Sequence, residues 1–430
     1  VPENATNRII GIRHRTKMTA EQEPRPTEVV ILQNGVEVAR YKLEDEQAEL
    51  DFLLGLLPCV WEDMERWVDQ RDLNKMPLRH LKLKAVDADE SKISEHYRMV
   101  DKKRYRITHY AIGFDGLKAG DTVAMALGGS GDYLAFALAR RAEEVGATII
   151  RLPSFALKER RGDGKKDDDA YLIATLAQEE PSLFYDLRSR DKELIRIREA
   201  YFMRIDAMKE RIACEQRLRQ RFIGQIFCNP AGRFPEGLIE KQYDELKAND
   251  IIFRAMSKEE GQRERELQKL VEASDVWQEV FGDIEGMGWA IASRIIAGVG
   301  DIRRFETCPK FKAFCGVHVL SDGRFPRRRQ GELANWHPDL RQALFLFGDQ
   351  ANRRPDSVWG KKLREYKVKL RAKHPEVVVG EGGKKKYTDG HIHKMALWRT
   401  RTKFAEYLYE RWKRFEKKSI AAAVPISKAA

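Results

Sequence analysis

One stretch limits the architecture more than any other. From about Ser189 to Ile226 the chain runs without a proline, and Ile195, Ile197, Tyr201, Ile205, Met208, Ile212 and Leu218 keep an apolar stripe three to four residues apart. That spacing predicts one long charged helix. Asn229-Pro-Ala-Gly-Arg-Phe-Pro235 ends it, because proline lacks the backbone donor that a helix needs. A second helical run extends from about Glu236 to Phe281, with an interruption expected near Asn249-Asp250. Two such helices lying antiparallel predict a coiled-coil arm over residues 186–281, useful as a spacer or for dimerisation. The arm separates a domain over 1–185 from another over 282–418, with a flexible tail at 419–430.

The first of these reads as α/β. Arg8 to Ile12 is an apolar run suited to a first strand, and a polar, proline-containing loop follows through Pro26. Thr27 to Leu43 reads as a hairpin turning at Asn34-Gly35, since both residues accept positive φ. Glu44 to Leu57 has helical spacing, and Trp61 to Asp69 reads as a second amphipathic piece. Leu73 to Arg106, rich in Lys, Arg and His, reads as a surface insertion, partly disordered. Thr122 to Leu127 is a buried strand, followed by Gly128-Gly-Ser-Gly131, a helix from about Tyr133 to Val145 and a strand from Ala147 to Leu152. This is a strand–helix–strand unit with parallel pairing, and its glycines fall at the carboxyl end of a strand, where such folds place their sites. The cluster lacks the Lys-Ser/Thr ending of a nucleotide loop. Ser154 to Arg161 is basic and helical, and Gly162 to Lys166 is a loop. Asp167, Asp168 and Asp169 open the next helix, where acids favour the positive end of the dipole whatever else they do.

The region after the arm reads as all-α. Ile284 to Phe305 has the pattern of a helix-hairpin-helix: Gly286 and Gly288 make a tight turn, and Trp289, Ala292, Ile295 and Ile296 recur at helical spacing. Backbone N–H groups at such a helix start favour phosphate, with Arg294, Arg303 and Arg304 adding charge. The competing reading is a plain glycine-turned helix pair in a core. A short helix at Lys310–Cys315 and a basic loop, Arg324-Phe-Pro-Arg-Arg-Arg329, follow. Helices are then expected from Asp339, over Ser357–Lys373, and over His391–Lys413 after a Gly/Lys linker at Glu381–Lys386. In the last helix Met395, Leu397, Phe404, Tyr407 and Leu408 form the apolar side, with Arg399, Arg401, Lys403 and Arg411 on or beside the other face. His391 and His393 stand two apart with no acid or cysteine beside them, which favours a structural over a metal-binding role.

Charge narrows the partner. Over 430 residues the formal net charge is +12 and the hydrophobic content 42%. A core is affordable, and the excess of Lys and Arg favours a polyanion, because phosphate contacts release counterions. An anionic membrane is the weaker rival, since no long apolar run or lipidation signal is present. The five cysteines, Cys59, Cys214, Cys228, Cys308 and Cys315, include no Cys-x-x-Cys pair. Their number and spacing suit buried free thiols in a reducing cytoplasm rather than a disulfide framework. Val1-Pro-Glu-Asn4 has no charged region leading into an apolar one, so no secretory leader is expected there.

The order of parts resembles the DEDD-type insertion-sequence transposases, the family that includes Piv-type DNA invertases and bridge-RNA-guided recombinases. The resemblance is best over Thr122 to Ala177, Ile284 to Leu344 and His391 to Trp412. Its most specific residues are Gly298-Val-Gly-Asp-Ile-Arg-Arg-Phe305 and Phe314-Cys-Gly-Val317, followed by Asp339-Leu-Arg341. The resemblance implies a RuvC-like (ribonuclease-H-like) N-terminal domain, a coiled coil, and a helical C-terminal transposase domain with a catalytic serine. It also implies carboxylates that gather Mg²⁺ ions to polarise a phosphoryl oxygen. Here the chain departs at three places. Gly11-Ile12-Arg13 stands for Gly-Ile-Asp, Gly128-Gly-Ser-Gly131 for Glu-x-Thr-Gly, and Lys166-Asp-Asp-Asp169-Ala170 for Asp-x-x-Asp-Ala. Asp169 alone is in place, with Asp167 one residue off. Ile-Gly-Phe-Asp115 stands too close before the glycine cluster to serve as the first motif. Ser321, in Leu320-Ser-Asp-Gly-Arg324, is the candidate nucleophile, with Asp322 beside Gly323.

The expected function is therefore nucleic-acid binding, to RNA and DNA, by a transposase-like protein without its metal site. The N-terminal contacts would be Arg13, Lys158, Arg160, Arg161, Lys165 and Lys166. The C-terminal contacts would be Gly286, Gly288, Arg294, Arg303, Arg304, Arg327, Arg328 and Arg329. No metal or other cofactor is expected, and a homodimer or homotetramer in the cytoplasm, near the nucleoid, is. Two alternatives stay open. One is an active recombinase using Ser321 and Asp169 with Mg²⁺; the other is a coiled-coil scaffold.

Overall fold

In the computed structural model, residues 8–15, 25–65, 68–85, 96–127, 131–187, 189–231, 237–320, 325–327, 336–379 and 385–422 are described. The chain divides into two compact units, Val1–Leu187 and Arg188–Ala430. The first is mixed α/β and the second is built of helices.

The first unit begins with a meander, β1 (Arg8–Arg13), β2 (Thr27–Gln33) and β3 (Val36–Leu43), all antiparallel. Asn34 at φ 52° and Gly35 at φ 80° make the turn between β2 and β3. α1 (Glu46–Leu54) follows, capped by the Asp45 carboxylate on the Ala48 amide at 2.8 Å. β4 (Leu57–Asp63), α2 (Gln70–Lys75), β5 (Leu81–Ala85), β6 (Tyr97–Val100) and the long β7 (Lys103–Asp115) make a second sheet, in which β7 pairs antiparallel with the other three strands. The chain then returns through β8 (Thr122–Leu127), α3 (Asp132–Val145), β9 (Thr148–Pro153), α4 (Ser154–Arg161), α5 (Asp169–Glu179) and the short β10 (Tyr185–Asp186). The main sheet has the order β10-β9-β8-β1-β2-β3, with β8 parallel to both β1 and β9.

Both faces of this sheet are covered. Ile10, Ile12, Val29 and Ile31 pack with Leu134 and Leu138 of α3 and Phe52 of α1. Val30 and Leu32 meet Ala170 and Ala174 of α5 on the other side. The small residues of α5 let it lie flat on β1. A Cβ on Gly11 would stand 2.0 Å from the Ala170 carbonyl oxygen, so only glycine fits there. This contact sets the first turn of α5 over the strand face that also carries Arg13, two residues further on.

Two sequence expectations are corrected here. Trp61 lies in β4, not in an amphipathic helix; pairing with β7 overrides the local spacing, and Trp61 stands opposite Ala111. The 73–106 stretch is not a loose insertion, because α2 and β5 fold around Leu73, Leu81 and Ile107 and β6 pairs with β7, while residues 86–95 lie outside the described ones. Lysines alternate outward along β5, so its basic composition hides a buried face.

In the second unit α6 (Ser189–Phe227) runs antiparallel to α7 (Ile239–Asn249) and α8 (Ile251–Glu272). The break between α7 and α8 falls at Asp250, whose carboxylate caps the Phe253 amide at 2.7 Å. A short turn of wide helix at Trp277–Phe281 leads to α9 (Trp289–Val299), α10 (Cys308–Phe314), α11 (Pro338–Arg353) and α12 (Val358–Lys373). A two-residue hairpin, β11 (Val378–Val379) with β12 (Lys385–Lys386), precedes α13 (Asp389–Ala422). The core joins Ile295 and Ile296 of α9, Phe347 of α11, and Phe404, Leu408 and Trp412 of α13. Leu194, Ile197 and Tyr201 of α6 and Leu267 and Val271 of α8 belong to the same core, so the helix pair is rooted in this unit. No helix among the described residues is long and apolar enough to cross a membrane.

Candidate nucleic-acid interface

The carboxyl ends of the parallel strands define the first candidate surface. At the end of β1, the Arg13 side chain is 12% exposed, and its Nη2 stands 3.4 Å from Glu28. Among the described residues its Nε and Nη1 are sealed from solvent without an acceptor. Asp169, the one acid at its expected motif position, is buried at the start of α5 and receives both Nε and Nη2 of Arg161, at 2.5 and 2.9 Å. That bidentate pair occupies both carboxylate oxygens along the directions a cation would use. A hard divalent ion needs several free oxygen ligands. At this edge the two guanidinium groups each face an acid, Arg13 on Glu28 and Arg161 on Asp169, so the described residues do not offer Mg²⁺ the free oxygens it needs.

The other face of the same edge is also internally paired. The Glu49 carboxylate accepts from the Thr27 hydroxyl at 2.6 Å and lies 3.4 Å from His14. Burial lowers the His14 pKa, with Glu49 opposing the shift and Arg15 adding to it. Asp132, at the start of α3, holds Arg151 at 2.5 Å. Among the described residues no group of three or more His, Cys, Asp or Glu is arranged to hold a metal ion. The glycine cluster at 128–130 lies outside the described residues.

Lys158, Arg160, Lys165 and Lys166 are all exposed around α4 and the turn into α5. Arg160 forms a two-pronged pair with Glu180, at 2.9 and 2.8 Å, and Asp167 pairs with Arg25 at 3.0 Å. Arg161 is drawn inward by Asp169, which corrects its assignment as a surface contact.

In the helical unit the expected residues separate by burial. Arg303 is 4% exposed and is surrounded by Asp301 at 2.6 Å, Asp191 at 2.7 Å and Glu416 at 3.9 Å. Burial opposes its charge, yet the carboxylates of Asp301 and Asp191 raise its pKa above the ordinary arginine value. It is a structural cation and not a phosphate contact, which corrects the expectation. Arg304 is half-buried, stacks over Phe305 and Phe314 at 5.2 and 5.0 Å, and reaches the Val299 carbonyl. Arg294 is half-buried near the Tyr201 hydroxyl, and its Nη1 is sealed without an acceptor among the described residues. Gly286, at φ 86°, faces α11: a Cβ there would come 3.1 Å from Gln350 Cβ, so this turn packs inward. Gly288 has ordinary φ, begins α9 and is exposed. Arg327 is exposed, whereas Ser321, Arg328 and Arg329 lie outside the described residues. His391 is engaged by the Tyr387 amide at 3.0 Å and stacks on the Tyr387 ring.

Sequence reasoning missed Arg401, which it set on or beside the polar face of the last helix. It is 7% exposed. The signal was present: Arg401 falls four residues after Leu397 and three before Phe404, on the apolar stripe. No protein-family model matches this chain, and no curated protein matches it.

Proposed function

We propose that this chain is a nucleic-acid-binding protein of the insertion-sequence transposase type, with RNA and DNA as partners. In this reading its RuvC-like domain grips polyphosphate instead of holding a metal. The observation that carries it is the carboxyl edge of the sheet, where Arg13 ends β1 with two sealed donors lacking acceptors among the described residues and Arg161 stands on Asp169 where a metal would need free oxygens. A three-stranded meander followed by two parallel strands, with a helix laid on the first, is the order expected of a ribonuclease-H-like domain. Lys158, Lys165 and Lys166 extend the positive surface beside that edge. The paired helices α6 and α8 would serve as a coiled-coil arm for dimers or tetramers.

Phosphate contacts of this kind orient a nucleic acid without reading its sequence. The test is fluorescence anisotropy with labelled structured RNA and labelled duplex DNA at rising salt. Affinity should fall by about 10³-fold or more between roughly 50 and 200 mM salt if six or more phosphates are neutralised. No binding, or a flat salt response, would leave a helical scaffold as the better reading. Strand joining or cleavage of supercoiled DNA that disappears in Ser321→Ala would replace this proposal with an active recombinase.

A further inference from the structure

A cluster of cationic and aromatic side chains lies in the helical unit where α11 meets α13. Arg401 of α13 is 7% exposed, and its Nε is sealed without an acceptor among the described residues. Its guanidinium lies over the Phe345 ring at 4.3 Å. Gly348, one turn further along α11, makes room for it, since a Cβ there would stand 2.6 Å from Arg401 Nε. Arg341, one turn before Phe345, stacks over Trp336 at 4.4 Å and Trp398 at 5.1 Å and donates to the Pro326 carbonyl at 2.8 Å. Trp398 Nε1 and His318 Nδ1 are likewise sealed without partners among the described residues.

Among the described residues, the charge of this cluster is not matched by a carboxylate of its own. The carboxylate acting on Arg401 is Asp349, which is already paired with Arg353 at 3.0 Å. Burial pushes the Arg401 pKa down to about 10, helped by Arg341 and opposed by Asp349, so the group keeps its charge near neutral pH. Burial also lowers the Arg341 pKa, and lowers that of His318 together with Arg341. A buried cation without a counter-ion is strongly unfavourable unless an anion supplies the missing partner. Two guanidinium groups flanked by the Trp398 ring N–H call for an acceptor with several oxygens, which a phosphate has.

We propose that Arg341 and Arg401 form a pocket for one backbone phosphate of a bound nucleic acid. This rests on the nucleic-acid reading above, and the test keeps the two separable. Anisotropy with labelled RNA and duplex DNA is compared for the full chain, Arg401→Met, Arg341→Gln and, as a charge-matched control, Lys241→Gln on exposed α7. Thermal unfolding is followed in parallel in sodium phosphate and in sodium chloride of equal ionic strength.

Each pocket variant should lose about tenfold or more in affinity beyond the control. Phosphate should raise the wild-type Tm specifically, and Arg401→Met should lose that rise. Without ligand, Arg401→Met should melt no lower than wild type, because a buried unpaired charge has been removed; a structural arginine would behave oppositely. Affinities equal to the Lys241→Gln control would overturn the pocket and leave the nucleic-acid reading standing. A low-melting Arg401→Met beside a normally binding Arg341→Gln would also overturn it. A phosphate-specific Tm rise in a protein that binds neither nucleic acid would overturn both, leaving a site for free oxyanions.

Discussion

At the residue scale, the chain keeps its charges in two ways. Some arginines are buried inside carboxylate cages: Arg8 is held by Asp115 at 2.9 Å and Asp121 at 2.7 Å, and Arg303 by Asp301 and Asp191. Others, such as Arg13 and Arg401, have sealed donors without acceptors among the described residues. The first kind stabilises the fold, and the second is the kind that the proposed function would pair with an anion. Burial opposes ionisation of Asp115, but Lys118 and Arg8 overcome it and hold the carboxyl at about 2. Its folded pKa is thus depressed below the unfolded value. The stabilisation it supplies is full above roughly pH 4 and drains away as pH falls through about 2, amounting to about 2 kcal/mol. Urea unfolding at stepped pH should show this loss in wild type. In Arg8→Met the baseline stability should be lower and that acid-dependent step smaller. A step of unchanged size in the variant would refute the assignment.

At the element scale, helix α5 on strand β1 is the contact that shapes the N-terminal edge. Gly11 and the alanines at 170 and 174 let two backbones approach closely, and Asp169 is held at the strand's face as a result. Gly11→Ala drives a methyl group into a backbone carbonyl that cannot rotate away. It should cost about 3 kcal/mol or more, or prevent folding, as read by denaturant midpoint and soluble yield. A change within about 0.5 kcal/mol, the range of ordinary surface substitutions, would show that α5 does not sit where described. Local rules served well where nothing distant competed. The Asn34-Gly35 turn and the break at Asp250 were both legible, since each rests on backbone chemistry within three residues. They failed at Trp61, where pairing with β7 across some fifty residues outweighed helical spacing.

At the scale of the whole molecule, net charge of +12 sets the long-range field while the pairing of acids sets where it is strongest. Millimolar Mg²⁺, compared with sodium salt of equal ionic strength, should leave the unfolding temperature of the protein unchanged. A site filled at a hundred times its Kd would add about 2.7 kcal/mol, an easily measured rise that would contradict the metal-free reading of the carboxyl edge. The sequence alone determined the division into an α/β part and a helical part and the long helix from Ser189. Those features follow from residue periodicity and turn chemistry, which act over a few residues. Tertiary structure decided which charges are free to act. Arg303 meets Asp191 across 112 residues, Asp169 captures Arg161, and Arg401 turns into the core beside Gly348. Whether a cation is neutralised or left hungry for an anion depends on what the rest of the chain folds against it, and that is fixed only when distant segments meet.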